Sequence, residues 1–421
     1  MAEPAGHHPT QVDSLSALVG LLRPGERVYL PGSGGEPLGL MQALSAGGTP
    51  LAITASFVPG INPWPLADLP AGTVMTASFA HAGPPEAQAE GRMRHLPLSY
   101  AGFAAHLRGS GSFDTTIVHV GPPDAEGACS LGIAVEFTLM AIAASRRVLA
   151  VVNPRMPAIT GSPSLPLASF AGWALHDAPL RKYDVGTPSA EAGAIAAHVA
   201  AFVQDGATIQ TGLGKVPDAL LRGLTDRRNI KLHSGMLSDG VIALAGAGAL
   251  DPDWAHTSCV HVGSNAYYQW LAGRRDIGVA GCDHTHDPAV LAALPGLVAV
   301  NAALSVDLFG QANLEMLDGR MVSGVGGAAD FARAAALAPG GLSIVALPST
   351  AGRSQVSRIV PRLDGVCSLP RQDVEVVVTE HGAADLRGCS VVERAERLVA
   401  VAAPAHRARL AAEFTALAGR L

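Results

Sequence analysis

The sequence predicts an α/β protein made of two similar open, largely parallel-sheet domains, and three observations carry that expectation. Short apolar runs alternate with helical spacing along the 421 residues, the pattern of parallel strands joined by crossover helices. An offset of 180 residues places Gly32 on Gly212, Gly34 on Gly214, Pro37 on Pro217, Leu40 on Leu220 and Leu44 on Leu224. Each set follows a strand and opens a helix, and Asp124-x-x-Gly127 is echoed later by Asp307-x-x-Gly310. The stretch His176 to Ser189, with two prolines and mixed charge, reads as a linker, so domains 1–183 and 184–421 are expected.

Composition narrows the class. Apolar residues make up 48% and charged residues 15%, ample for a buried core. The 48 glycines and 30 prolines form no low-complexity tract and signal turns instead of disorder. A net charge of −6 without a basic cluster argues against nucleic acid as the main partner. Met1 to Asp13 carries Glu3 and Asp13 and lacks the apolar centre of a signal peptide. Glu136 interrupts the best apolar run, Leu131 to Ala144, so no membrane span is expected. The five cysteines (Cys129, Cys259, Cys282, Cys367, Cys389) are scattered and odd in number, which points to reduced thiols in a cytoplasm.

The elements follow in order. Met1 to Pro9 reads as a loose tail in which His7-His8 is solvated. Arg27 to Leu30 is a strand that ends in Pro31-Gly32-Ser33-Gly34-Gly35-Glu36-Pro37 and a helix through Leu44. Leu51 to Phe57, Thr73 to Ala80 and Thr115 to Val120 are further strands; Ile133 to Ser145 is helix-like; Arg147 to Val152 is a buried strand stopped by Asn153-Pro154. A helix over Ala190 to Gln204 precedes the strand Ala207 to Gln210. Gly212 and Gly214 then make a tight bend, and Pro217 suits the first turn of the helix that follows. Ile230 to Leu232 delivers the tip His233-Ser234-Gly235-Met236-Leu237-Ser238-Asp239-Gly240. Strands at Leu297 to Val300, Ser343 to Leu347 and Val374 to Thr379, a glycine turn at Ser323 to Phe331, and helix from Val391 complete the chain.

Chemistry is expected at strand ends, where open α/β sheets hold ligands. Gly212-Leu213-Gly214 offers backbone N–H groups and a helix N-terminus to a phosphate, though it is neither a Walker loop nor a full dinucleotide fingerprint. Gly324-Val325-Gly326-Gly327 is a similar turn whose N–H groups suit a phosphate or an oxyanion. His233 and His381 lie just past strands and are candidate general bases beside their structural reading. His284-Thr285-His286 between Asp283 and Asp287 resembles a metal clamp, but no other His/Cys cluster completes it, and no metal is expected. Ser234 and Ser238 lack a nucleophile elbow.

Taken together, these segments resemble the acetyl-CoA hydrolase/transferase family, which includes 4-hydroxybutyrate and acetate CoA-transferases. The resemblance spans nearly the whole chain: Gly35-Glu36-Pro37, Pro122 to Gly132, Asn153 to Pro157, Gly212 to Asp218, His233 to Gly240, Asn301 to Asn313, Ser323 to Phe331, Leu347 to Thr350, Val356 to Pro361 and Thr379 to Gly388. It implies two open α/β domains of the CoA-transferase type, a CoA thioester bound at their junction, a homodimer, and no permanently bound cofactor. Coenzyme A or acyl-CoA is the implied substrate, with a carboxylate acceptor where the reaction is transfer.

The family's nucleophile is a glutamate in a His-Ser/Thr-Glu-Met pattern, which becomes an acyl anhydride and then a glutamyl-CoA thioester. Here the matching residues are His233-Ser234-Gly235-Met236, so Gly235 stands at the nucleophile's position. Carried over by position, Gly212-Leu213-Gly214-Lys215-Val216, Met236, Gly310 and the turn residues Gly324, Gly326 and Gly327 face CoA, and Asn301 and Gly326 are oxyanion donors. Three functions follow. Hydrolysis ranks first: water occupies the space vacated at Gly235, and His233, Glu36 or His381 is the base. Transfer through a displaced carboxylate or direct attack by the acceptor acid ranks second, and acyl-CoA binding without turnover third. Extra room at Gly235 also suggests a larger acyl group.

Overall fold

The computed structural model describes residues 10–63, 66–80, 90–109, 112–352 and 354–419. The tail Met1–Pro9, with His7 and His8, lies outside the described residues. The chain divides into two compact units, Met1–Tyr183 with Thr257–Thr285, and Asp184–His256 with His286–Leu421. Both are α/β units built on large parallel sheets. Among the described residues no helix is long and apolar enough to cross a membrane.

In the first unit, strands β1 (Thr10–Val12), β2 (Arg27–Leu30), β3 (Ala52–Ala55), β4 (Val74–Ala77), β5 (Met93–His95), β6 (Phe113–Val120), β7 (Ser145–Val152) and β8 (Gly172–Leu175) form one sheet. Its order is β1-β8-β7-β6-β2-β3-β4-β5, and every pairing is parallel. The order reverses at β2, with β3 on one side and β6 on the other, so the turn after β2 sits at a switch point. That turn is packed tightly: a Cβ at Gly32 would lie 1.9 Å from the Ser56 carbonyl oxygen. Helix α1 (Leu40–Gly47) follows it.

The sequence reads helix over Ile133 to Ser145, but the helix found there spans only Thr138–Ala143. The missing turns have a cause. The N–H groups of Val135 and Glu136 donate to the Cys259 carbonyl at 3.0 and 3.3 Å, and Glu136 takes a φ of 40°. Those amides are thereby withdrawn from any helical ladder. The Glu136 carboxyl is buried and accepts from Ser33 Oγ and Ser56 Oγ, each at 2.7 Å. Burial pushes it up to about 7, against the opposing pull of those hydroxyls.

In the second unit, β9 (Thr208–Thr211), β10 (Lys231–Leu237), β11 (Leu297–Ala302), β12 (Leu342–Ala346), β13 (Val376–Thr379) and β14 (Gly382–Asp385) lie in the order β10-β9-β11-β12-β13-β14. Pairings β10–β9, β9–β11, β11–β12 and β12–β13 are parallel, and β13–β14 is antiparallel. Again the order reverses at the first strand, here β9. Helix α2 (Ala190–Ala200) starts where Ser189 caps it, its hydroxyl accepting from Ala192 N. Helices α3 (Lys215–Gly223) and α4 (Ala328–Leu337) follow the two glycine turns, and α4 packs on β11 and β12. The chain closes with α5 (Val391–Val401), held by a Ser390–Glu393 capping box, and α6 (Pro404–Ala418). Leu398 of α5 and Leu410 of α6 join Val345 and Val377 of the sheet in one buried cluster.

Candidate active site

The crevice of interest lies where β10, β9 and β11 end side by side in the second unit. All four residues of β9 are buried, as a central strand requires. Its end is tied to β10 by one hydroxyl: Ser234 Oγ donates to the Thr211 carbonyl at 2.8 Å and accepts from Thr211 N at 3.3 Å. The chain then bends through exposed Gly212 and half-buried Leu213 into Gly214, whose φ of 128° precedes α3 and favours glycine. Lys215 is exposed and Val216 half-buried on the first turn of α3. Thr211, Gly212, Gly214, Met236 and Ser238 line one small cleft, so the two stretches singled out by sequence do share a wall.

Alternation along β10 puts His233 and Gly235 on one face and Ser234 and Met236 on the other. The register Ile209↔Leu232 sets Gln210 beside His233, and Gln210↔Ala299 sets Gln210 on the face that carries Asn301. One face of three adjacent strand ends therefore presents His233, Gly235, Gln210 and Asn301. Gln210 and Asn301 are 4% and 5% exposed, and Gln210 Nε2 donates weakly to Asn301 Oδ1 at 3.4 Å. Gln210 Oε1 and Asn301 Nδ2 are buried with no hydrogen-bond partner among the described residues. Such polar atoms are unusual in a folded interior and leave bonding capacity that a water or a ligand atom can complete.

The space at Gly235 is not open. A Cβ there would lie 3.2 Å from His286 Nε2 and 3.4 Å from Cε1. A Cβ at Gly327, the residue before α4, would lie 2.4 Å from the same Nε2. The His286 ring is 1% exposed and stands edge-on to Phe331 with centroids 5.0 Å apart; His233 is 6.2 Å from Phe331. Burial pushes His286 down to about 3, and repulsion from His233 adds to the fall, so the imidazole is neutral. The expectation of a water-filled or enlarged pocket at Gly235 is thus corrected: an imidazole fills it, and the larger-acyl idea fails.

The other anticipated residues are scattered. His381 follows β13, which lies four strands from β10, roughly 19 Å at the usual strand spacing. It stands 3.4 Å from Glu380, which also receives Ser349 N at 2.9 Å and the Ser349 hydroxyl. Gly310 closes a turn on Asp307 and abuts Leu386, whose N–H donates to Glu375 just before β13. Gly310 therefore lies at the amino-terminal end of the sheet, away from the crevice. Gly324 is buried, Gly326 takes a φ of 55°, and both lead into α4. Glu36, in the first unit, is 2% exposed and engaged with Arg181 at 2.7 Å and Asn62 Nδ2 at 2.6 Å. Burial raises its carboxyl despite the Arg181 charge.

The apparent metal clamp comes apart. Asp283 pairs with Arg108 at 3.7 Å, and Asp287 caps the helix Pro288–Ala292 by accepting from Ala289 N and Val290 N. Of Asp283, His284, His286 and Asp287, only His286 is buried. Sequence reasoning singled out His286 only as part of a metal clamp, missing its place beside Gly235, and gave Gln210 no role. The available signal for Gln210 was a polar residue inside a buried central strand; nothing local signalled that His286 packs against a glycine 51 positions away.

Residues 263–414 match the family model for the acetyl-CoA hydrolase/transferase C-terminal domain. The chain is 34% identical over 309 residues to 4-hydroxybutyrate coenzyme A transferase of Clostridium kluyveri, with 72% of each protein covered. It is 30% identical over 421 residues to succinyl-CoA:acetate/propanoyl-CoA:succinate CoA transferase of Fasciola hepatica, covering 96% of this chain and 88% of that one. Among solved structures, RipA from Yersinia pestis superposes with a TM-score of 0.88 at 26% identity over 97% of both chains.

Proposed function

Because the chain belongs to the acetyl-CoA hydrolase/transferase family, we propose that its second-unit crevice hydrolyses an acyl-CoA thioester with water and forms no enzyme-bound carboxylate intermediate. The observation that carries this reading is at Gly235. The position matching the family nucleophile has no side chain, and a neutral imidazole stands in its space. Glycine cannot carry an acyl group or CoA.

In this reading CoA lies along Gly212 to Val216, Met236 and the turn Gly324 to Gly327, and the thioester carbonyl enters over β9 and β11. Asn301 Nδ2 and the N–H groups of the turn before α4 receive the oxygen, where negative charge develops. Water attacks the carbonyl carbon, the C–S bond breaks, and the proton the base takes from water is passed to the departing thiolate, so that the acid and the CoA thiol leave. His233 takes the water's proton, because it shares a strand face with Gln210 and Asn301, whereas Glu36 is held by Arg181 and His381 lies about four strand spacings away. The two-domain division at Tyr183, a homodimer and a cytoplasmic setting belong to the same proposal; five free cysteines support the last.

The relatives' names favour a second reading, direct transfer to an acceptor acid. Purified protein incubated with a panel of acyl-CoAs, with and without acetate, separates the two. Free thiol appearing without acceptor supports hydrolysis, and acceptor-dependent CoA exchange supports transfer. CoA binding with no turnover overturns both in favour of a binding protein.

A further inference from the structure

We propose that the first unit carries a ligand site of its own, a cationic groove on one sheet face that binds a small molecule bearing a diphosphate. The inference stands on the first unit alone and does not depend on the thioester reading.

Alternation along the strands builds the groove. Val28, Ile53, Met75 and Met93 are buried on one face, which leaves Arg27, Ala52, Thr54, Val74, Thr76 and Arg94 on the other. The parallel register sets them in two rows. Arg27, Ala52 and Val74 lie side by side on β2, β3 and β4, and Thr54, Thr76 and Arg94 on β3, β4 and β5. With His106 and Leu107 of the helix Tyr100–Gly109, and Phe113 at the start of β6, they line a groove of about 340 Å³. A parallel sheet ordinarily has both faces covered and filled with Val, Ile and Leu. Here the four central residues are only half-buried, two of them are threonine, and exposed arginines flank them. This face is open.

Charge then selects the occupant. The described residues lining the groove include two guanidinium groups and an imidazole but no carboxylate, in a chain of net charge −6. Nearby acids are engaged elsewhere: Glu90 stands 3.8 Å from Arg92, and Asp114 accepts from the Arg27 amide at 2.9 Å and pairs with Arg146 at 3.3 Å. Among the described residues no carboxylate pairs with Arg94. The Arg27 guanidinium lies 5.8 Å over the Phe113 ring, which holds it at one end of the groove. Arg94 is three strands away, roughly 14 Å at the usual spacing, with only small side chains between. A single carboxylate or phosphate reaches one arginine. A diphosphate spreads its charge over two centres and meets donors from both ends, with the threonine hydroxyls beneath it. The volume is that of a small-molecule site.

Calorimetric titration of the full chain at low ionic strength tests this, with inorganic pyrophosphate, ADP and inorganic phosphate as probes. Pyrophosphate is expected to bind at least about tenfold tighter than phosphate, because it engages a second charged donor. Arg94→Ala is expected to weaken pyrophosphate about ten- to hundredfold, the loss of one charge-assisted hydrogen bond, and Thr76→Val to weaken it less. Arg409→Ala, which removes an exposed charge from α6, leaves binding unchanged. ADP binding as tightly as pyrophosphate assigns a nucleotide to the groove; pyrophosphate binding alone assigns a diphosphate head without a nucleoside. Binding at the glycine turns of the second unit survives Arg94→Ala, so retained affinity in that variant overturns the proposal. Equal affinity for phosphate and pyrophosphate, or no binding of either pyrophosphate or ADP, overturns it as well.

Discussion

Restoring the glutamate is the most instructive perturbation, because a side chain at 235 must compete with the His286 ring for its space. A Cβ at 235 meets His286 Nε2 at 3.2 Å and Cε1 at 3.4 Å, so the ring must give way by a few tenths of an ångström before any further atom is added. The ring has little room to yield, being wedged against Gly327 and Phe331. Overpacking of this kind costs about 1–3 kcal/mol. Removing the ring with His286→Ala opens the space that the carboxylate needs. The pair is therefore expected to couple by roughly 0.5–3 kcal/mol in a double-mutant cycle, the Gly235→Glu/His286→Ala protein being more stable than the two single changes predict. Urea unfolding of the four proteins measures this. In parallel, incubation with acetyl-CoA and borohydride or hydroxylamine trapping reads glutamyl-CoA formation, expected in the double variant and absent from Gly235→Glu. An additive cycle, or a Gly235→Glu protein as stable as wild type and competent in transfer, refutes the claim that His286 occupies the nucleophile's place.

Four further outcomes are expected. Gly327→Ala puts a Cβ 2.4 Å from His286 Nε2 and must displace the ring, so it should lower stability by about 1–3 kcal/mol, read as a fall in the urea midpoint. His381→Ala should leave kcat within about twofold on the panel assay, because His381 follows β13, two strand spacings or roughly 10 Å beyond β11, and is engaged with Glu380. Glu136 binds its proton more tightly when folded, near 7 against an ordinary 4.5, so wild-type stability falls as pH rises through that window and stays reduced above it. Glu136→Gln should remove that fall, a difference of at most about 3 kcal/mol, and parallel urea midpoints from pH 5 to 8 for both proteins would contradict it. Finally, Gln210→Leu/Asn301→Leu should abolish turnover while leaving stability unchanged or higher, checked by kcat and urea midpoint together.

Much of the framework was legible because local patterns are strong where strands are central. Arg27–Leu30 was placed to the residue, and the strand before Gly212 and the helix after Ser189 were placed within a few positions, since buried apolar runs and a serine cap act locally. The 180-residue offset was legible too, and the structure gives Gly32 and Gly212 the same post after the strand at which each sheet reverses. The losses are equally physical. Strands β1 and β5 are three residues long at sheet edges, too short for periodicity to speak. Helix over Ile133 to Phe137 was denied by a long-range bond from Cys259, which no local rule contains. The vacancy inferred at Gly235 was an argument from one side chain's absence; what fills a space is decided by whichever distant residue folds against it.

The buried amides bear on whether the crevice is working or merely inherited. Gln210 Oε1 and Asn301 Nδ2 are each buried without a partner among the described residues, which costs about 1–3 kcal/mol apiece where no water or ligand completes the bond. Leucine in both places would remove that cost and keep the strands packed. His286 adds a neutral imidazole in a position that requires two glycines to accommodate it. A crevice that only needed to fill the volume beside β10 could do so with an apolar side chain. Polar groups that cost stability, share one sheet face and point to where three parallel strands end are what a site for a polarised carbonyl requires. The Gln210→Leu/Asn301→Leu protein puts this directly: stability gained with turnover lost places those amides at the thioester, whereas turnover retained would assign them to the packing of β9 on β11.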